Sequence, residues 1–121
     1  MTSILIICED SPFGKNSAVE SIRLAAGIIS MGDVEACQIL FLGDAILFLN
    51  KNVNPSGLNM DSLDDMIRLI ELSELPILVA HEDLIALDLD RNDLIPYQHL
   101  KVIDYKTISE LLLDNDFCFK Y

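Results

Sequence analysis

Three cysteines are the residues of this chain with the clearest potential for chemistry. Cys8 ends a short apolar run, Cys37 lies inside a second run, and Cys118 lies inside a third. A reactive thiol needs partial exposure and positive surroundings, such as a helix N-terminus or a nearby Lys or Arg. We therefore predict that Cys37 and Cys118 are packed core residues. Cys8 stays a candidate at a functional edge, although the carboxylates of Glu9 and Asp10 disfavour a thiolate beside them.

His81 and the Glu9-Asp10 pair are the other candidates. His81 follows a predicted strand, at the edge where open α/β sheets bind ligands, but a histidine hydrogen-bonded at a strand end is the favoured interpretation. Glu9-Asp10 stands where receiver domains hold magnesium, yet Asn50–Asn59 shows no strand that could end in a phosphoacceptor Asp. A small stand-alone α/β enzyme or a degenerate receiver-like switch, using Cys8, His81 and Glu9-Asp10, is therefore the alternative function.

A calcium loop is the nearest approach to a metal site. Asp88, Asp90 and Asn92 have the spacing of its first ligands. However, Asp93 stands where the loop needs Gly, and His99 stands where it needs a bidentate Glu. The sequence also contains neither a GxGxxG motif nor a P-loop. We therefore predict no metal site and no cofactor, and we assign no catalytic residue beyond the candidates Cys8 and His81.

The composition limits the classes of partner. The chain has 121 residues, a formal net charge of −12 and 51% hydrophobic residues, so it is acidic but too apolar for a disordered acidic tail. Excess carboxylates argue against direct nucleic acid binding by this chain alone. No apolar stretch reaches the ~18 residues of a spanning helix, and no signal peptide is visible. We expect a single domain over residues 1–121, in the cytoplasm, without membrane contact.

The elements that position these residues alternate between strands and helices. Such alternation predicts an α/β fold in three α/β/α layers around a five-stranded, mostly parallel open sheet. The predicted strands are Ile4–Cys8, Glu35–Leu42, Ile77–Ala80, Lys101–Asp104 and Phe117–Phe119. Thr107 and Glu110 form a capping-box pattern that predicts the start of the last helix, and the turn-rich residues 52–59 predict a surface loop with weak exchange protection.

One predicted helix, after the second strand, is apolar on all sides. Its residues Ile46, Leu47, Phe48 and Leu49 offer no polar face. A surface helix of this kind must be covered by another surface. We therefore predict that these four residues form a subunit interface and that the protein is not a stable monomer.

The order of these motifs resembles the DsrE/DsrF family of sulfur-relay proteins, and most of all its DsrF or TusC branch. Ser11–Gly14 is similar to the turn after the first strand in that branch, and Phe41–Ala45 resembles its second-strand exit. The ending 114–121 resembles its acidic, aromatic-ended tail. The resemblance covers nearly the whole chain.

The resemblance implies a cytoplasmic α/β/α subunit that works with DsrE/TusD-like and DsrH/TusB-like subunits or with copies of itself. In the DsrE-like branch, a cysteine near the end of the third strand carries sulfur as a persulfide. That sulfur serves 2-thiouridine formation in tRNA or sulfur oxidation. The corresponding stretch here, Ile77–Glu82, contains no cysteine. The resemblance therefore implies a scaffold subunit of a sulfurtransferase assembly, without a sulfur-carrying cysteine of its own.

Overall fold

The structure is a computed structural model that describes residues 2–12, 17–32, 36–51 and 63–120. The predicted loop at 52–59 lies outside these ranges.

A five-stranded parallel sheet forms the centre of the fold. Its strands are β1 (Ser3–Cys8), β2 (Ala36–Phe41), β3 (Ile77–Ala80), β4 (Leu100–Ile103) and β5 (Phe117–Lys120). Their spatial order is β4-β3-β2-β1-β5, and every neighbouring pair is parallel. The predicted open parallel sheet is confirmed, because buried parallel strands need the continuous apolar runs that the sequence contains.

Helices lie on both faces of the sheet. They are α1 (Ser17–Met31), α2 (Leu63–Ser73), α3 (His81–Ala86) and α4 (Tyr105–Asp114), with 3₁₀ helices at Gly43–Leu49 and Arg91–Asp93. One core contains Ile4, Ile6 and Cys8 of β1 together with residues of α1, α2 and the 3₁₀ helix Gly43–Leu49. A smaller core contains Leu5 of β1 and Ile108 of α4. Since successive strand residues face opposite sides, these two cores confirm the predicted three layers.

The helix that the sequence predicted as an interface is buried inside its own chain. Gly43–Leu49 is a 3₁₀ helix, in which Ile46, Phe48 and Leu49 are 0%, 1% and 0% exposed; of the four predicted interface residues, only Leu47 is partly exposed. The ring of Phe48 stacks on Phe41 with centroids 6.3 Å apart. The argument that one chain cannot cover these residues is therefore wrong.

The segment between the 3₁₀ helix Arg91–Asp93 and β4 covers part of this helix. Ile95 N donates a hydrogen bond to Leu49 O at 2.9 Å, and Asn50 forms an isolated antiparallel bridge with Leu94. Leu94 and Ile95 are themselves buried in the larger core. This cover comes from residues about 45 positions further along the chain, so the local pattern gave no sign of it.

The start of α4 also differs from the prediction. The helix begins at Tyr105, and Asp104 is its N-cap. Asp104 Oδ1 accepts hydrogen bonds from Thr107 N at 2.9 Å and from Thr107 Oγ1 at 2.7 Å. The predicted capping box starting at Thr107 is therefore wrong, since Asp caps helices at least as well as Thr and here lies at the end of the preceding strand.

β5 is exposed although its sequence reads as a buried strand. It lies at one edge of the sheet, and all four of its residues are exposed. The prediction that Cys118 is packed is therefore wrong, whereas the predicted burial of Cys37 is confirmed. An edge strand has a neighbouring strand on one side only, so an apolar run does not by itself show burial.

Candidate functional site

The carboxyl ends of the parallel strands lie along one edge of the sheet and form a cleft of about 500 Å³. Glu9 follows β1, Gly43 follows β2, Asp83 lies in the first turn of α3 after β3, and Tyr105 begins α4 after β4. This edge is where open α/β sheets place their ligand sites. The cleft is therefore the candidate functional site.

Asp83 joins three of these strand ends. Its Oδ2 accepts a hydrogen bond from Gly43 N at 2.8 Å, and its Oδ1 accepts one from the Tyr105 hydroxyl. Gly43 adopts a φ of 52°, which glycine reaches without steric cost. Both carboxylate oxygens of Asp83 are thus used to hold the ends of β2 and β4 against β3.

Glu82 and Asp83 together fix the first residue of α4. The Tyr105 backbone N–H lies 3.1 Å from each carboxylate oxygen of Glu82. The hydrogen bond to Asp83 is the main cause that raises the pKa of the Tyr105 hydroxyl, with smaller effects from burial and from the charges of Asp83 and Glu82. The phenol therefore stays neutral at physiological pH and acts as a hydrogen-bond donor.

His81 is exposed at the start of α3 and does not line the cleft. Within the described residues its ring makes no hydrogen bond, so the structure does not give it the hydrogen-bonded strand-end role that the sequence favoured. Asp83, two residues later, is the side chain that reaches the neighbouring strand ends. The structure therefore does not bring His81 together with the other candidate residues.

Cys8 is fully buried beneath α1. The pKa of its thiol is raised from 9.0 to about 11, chiefly by burial; a hydrogen bond with Ser21 lowers it in part, and the charges of Asp10 and Glu9 add to the rise. Burial also raises the pKa of Cys37. Both thiols are therefore protonated and inaccessible at neutral pH, which is the opposite of what nucleophilic sulfur chemistry needs.

Glu9 is held by a basic residue of the edge strand. Its carboxylate forms an ion pair with the Lys120 ammonium, and the hydrogen bond and charge of Glu9 raise the pKa of Lys120. This contact links the end of β1 to the end of β5. It neutralises one of the two carboxylates that a receiver-like magnesium site would use.

The segment Asp88–Asp93, whose spacing only partly matches a calcium loop, contains a capped turn. Asp90 Oδ1 accepts a hydrogen bond from Asn92 N at 2.8 Å, and Asp93 Oδ2 accepts one from Asp90 N at 2.9 Å. Asp90 and Asp93 thus cap the 3₁₀ helix Arg91–Asp93 reciprocally. In the described part of the chain, no group of three or more His, Cys, Asp or Glu residues is placed to hold a metal ion.

Sequence reasoning missed Gly43, Asp83 and Tyr105. Each of them follows a strand closely, so position relative to the predicted strand ends was the available signal. Tyr105 was overlooked because the last helix was expected to begin at Thr107. Asp83 was overlooked because His81, with its more familiar chemistry, comes directly after the strand.

Comparisons with known proteins identify the family. The model of the DsrE/DsrF-like family matches residues 2–120. Among solved structures, the YchN protein of E. coli is similar with a TM-score of 0.81 and 15% sequence identity, covering 100% of both chains. MTH1491 of Methanobacterium thermoautotrophicum, a protein of unknown function, is similar with a TM-score of 0.61 and 14% identity, again over 100% of both chains.

At such identities the two structures show a shared fold alone. No curated protein matches the chain significantly. Within the described ranges, no helix has the length and hydropathy needed to cross a membrane. The family match over almost the whole sequence, together with the five-stranded parallel sheet, shows that the chain belongs to the DsrE/DsrF-like family, which is generally associated with sulfur relay.

Proposed function

We propose that this chain is a non-catalytic scaffold subunit of a cytoplasmic sulfur-transfer complex, of the DsrF/TusC kind. The observation that carries the proposal is the end of β3. The DsrE-like branch places its sulfur-carrying cysteine there, whereas this chain continues from Ala80 into His81, Glu82 and Asp83. The two carboxylates make hydrogen bonds that hold neighbouring elements together.

A sulfur carrier needs an accessible thiolate on a turn that can move, because its persulfide must reach a thiol on a second protein. Here the first turn after β3 is tied to Gly43 and Tyr105 through Asp83. Hydrogen bonds to a charged carboxylate are among the stronger ones in proteins. The position is therefore built to brace the sheet edge rather than to deliver a group.

The three cysteines do not replace the missing carrier. Cys8 and Cys37 are buried, so a persulfide on either could not reach a partner. Cys118 is exposed but pairs with Leu5, three residues before the end of β1. At about 3.3 Å per residue this separation places it roughly 10 Å along the strand direction from the cleft edge. The sulfur-carrying thiol is therefore expected to come from a partner subunit.

The partners that fit this proposal are a DsrE/TusD-like subunit and a DsrH/TusB-like subunit, or further copies of this chain. With a net charge of −12, the chain is not suited to contact a tRNA backbone by itself. In an assembly that thiolates tRNA, basic partners would supply that contact. An assembly that serves sulfur oxidation would not need it.

The direct test is to load the purified protein with persulfide from a cysteine desulfurase relay and to locate added sulfur by mass spectrometry. We expect no stoichiometric sulfur on Cys8 or Cys37. The Cys118→Ser variant controls for nonspecific loading of the exposed thiol. Stoichiometric labelling of Cys8, with transfer lost in Cys8→Ser, would contradict the scaffold role.

A gain-of-function variant sharpens this test. His81 is exposed at the position after β3, so His81→Cys places a thiol near the carrier position of the DsrE-like branch without disturbing the core. In the Cys118→Ser background, we expect this variant to take up sulfur from the same relay because its new thiol is exposed, whereas the matched protein with His81 takes up none. We do not expect the variant to pass the sulfur on, because its turn is tied to Gly43 and Tyr105. Gel filtration with DsrE- and DsrH-like subunits should then show a shared complex for both proteins, since the substitution lies outside the core.

A further inference from the structure

β5 presents an uncovered apolar edge to solvent. Within the described residues it pairs with β1 alone. Phe117 and Phe119 are 53% and 48% exposed, and their rings stack with centroids 6.2 Å apart. Leu112 and Leu113 at the end of α4 are exposed as well. The free backbone donors and acceptors of an edge strand can pair with another strand. Exposed apolar side chains beside them favour such pairing, because it removes them from water.

The register of β5 fixes which side each residue faces. Phe117 and Phe119 lie beside Ile4 and Ile6, so they are on the face of the sheet that α1 covers. Cys118 lies beside Leu5, so it is on the face that α4 covers. The two aromatic rings therefore form a short exposed strip on one face, next to the outer edge.

The sequence Asp116-Phe117-Cys118-Phe119-Lys120 is symmetric about its central cysteine, with opposite charges at its two ends. Suppose two copies of it run antiparallel about a two-fold axis at Cys118. Residue 116 then lies opposite residue 120 of the second copy, and 117 lies opposite 119. Directly opposed residues of an antiparallel pair share a face, and aromatic and opposite-charge pairs stabilise it.

We propose that two copies of this chain associate through β5 in this antiparallel register, which joins their sheets across a two-fold axis. The axis gives two Asp116–Lys120 ion pairs and two Phe117–Phe119 contacts, and it places the two Cys118 residues opposite each other. Two-fold symmetric pairs are the commonest protein assemblies. The charge complementarity within one short strand identifies a second copy as the occupant.

Other registers satisfy fewer of these contacts. If the register shifts by one residue, a side chain on the α1 face of one sheet lies opposite a side chain from the α4 face of the other. The faces of the two sheets then no longer match. A register centred on Phe119 places Cys118 opposite Lys120 and leaves Asp116 without its cation. The register centred on Cys118 is therefore the one that pairs both charges and both aromatic residues.

The present contacts of the charged residues are compatible with this pairing. Ser3 N and Oγ both donate to Oδ2 of Asp116, at 2.8 and 3.2 Å, so Oδ1 can accept from Lys120 of the second copy. Lys120 contacts Glu9 through an ammonium that carries three donor hydrogens.

The first experiment uses the single exposed cysteine among those the structure describes. A short bismaleimide added to the purified protein should give a dimer cross-linked from Cys118 to Cys118, and Cys118→Ser should give none. Sedimentation at concentrations up to ~100 μM should show the dimer without reagent, in the range where many specific complexes form. A monomer throughout that range, or a dimer that does not cross-link through Cys118, overturns the proposal.

A charge exchange tests the register itself. Lys120→Asp alone and Asp116→Lys alone each place like charges opposite each other, so each should raise the dissociation constant at least about tenfold. An equal mixture of the two variants should dimerise again, because every opposed pair in the mixed dimer then carries opposite charges. Two folded variants that do not associate when mixed overturn this register.

Asp116→Lys also removes the acceptor for Ser3, so circular dichroism first checks that the variant folds. If it does not fold, a comparison of Lys120→Arg with Lys120→Asp tests the Asp116–Lys120 ion pair. The arginine variant should keep the dimer and the aspartate variant should lose it, and equal dimerisation by both contradicts the ion pair. These readouts measure mass and not sulfur, so their outcome is separate from the test of the scaffold role.

Discussion

The 3₁₀ helix Gly43–Leu49 and the strand β5 have similar apolar sequences but opposite environments. Phe48 stacks on Phe41 inside the larger core, whereas Phe117 and Phe119 stack on each other in solvent. The 3₁₀ helix follows the central strand β2, and residues 94–95 pack over it. β5 lies at the sheet edge. Position in the sheet, rather than composition, decides which apolar residues are available to a partner.

The largest expected effects come from substituting one aromatic residue in each region, first by alanine and then by glutamate. Phe48→Ala should lower the free energy of unfolding by about 3–5 kcal/mol, because it removes a fully buried ring and leaves a cavity. Phe119→Ala should change the unfolding of the monomer far less, since half of that ring is already exposed. Urea denaturation at low protein concentration, where association does not contribute, measures both.

Phe48→Glu should destabilise the fold more than Phe48→Ala does. A carboxylate at a fully buried apolar position has no partner there, so we expect this variant to unfold. Phe119→Glu is the matched control at the edge, and it should stay folded while losing association. If Phe48→Glu stays folded but no longer associates, the result supports the subunit interface that the sequence predicted at Ile46–Leu49.

The fold could be predicted from sequence because strand runs are local signals. Ile77–Ala80 was predicted to the residue, and the parallel order follows from alternation with helices. Burial could not be predicted in the same way. The cover of Phe48 comes from residues distant in sequence, and the exposure of Cys118 follows from the edge position of β5.

For the candidate site, the sequence predicted only which edge of the sheet it occupies. Strand ends located the cleft correctly, as the position of Glu9 shows. The sequence could not show that Asp83 rather than His81 reaches the neighbouring strands, because that depends on how the first turn of α3 is oriented. The role of Tyr105 depended on the start of α4, which a competing cap pattern at Thr107 obscured.

A third prediction compares two side chains of the first turn after β3, those of Asp83 and His81. Asp83→Ala leaves the Gly43 N–H and the Tyr105 hydroxyl without their acceptor, so it should cost about 1–3 kcal/mol of unfolding free energy. His81→Ala should stay within about 0.5 kcal/mol of wild type, as exposed substitutions usually do. Equal losses in thermal or urea unfolding would show that Asp83 does not brace this edge.

A fourth prediction concerns the exposed thiol of β5 and the buried thiol of β1. Cys118 should react with a maleimide in the native protein, whereas Cys8 should react only after unfolding. The pKa of Cys8 is raised from 9.0 to about 11, chiefly by burial, so the folded state keeps its proton longer than the unfolded state. This contribution to stability is complete below pH 9 and is lost as the pH rises towards 11. Cys8→Ala should flatten that part of the pH profile, and Cys118→Ala should leave it unchanged.

The smallest expected effect distinguishes the two caps proposed for α4. Asp104→Ala should lower the Tm modestly, because it removes the acceptor for Thr107 N and Oγ1, while Glu110→Ala should leave it unchanged. Hydrogen bonds from Thr107 are the main cause that lowers the pKa of Asp104 below its ordinary 3.8. The stabilisation is therefore present above that value and is lost as the pH falls through the lower pKa of the folded state. Thermal unfolding in acid should show a weaker pH dependence for Asp104→Asn than for wild type. If the Tm falls in Glu110→Ala and not in Asp104→Ala, the capping box at Thr107, and not Asp104, starts the helix.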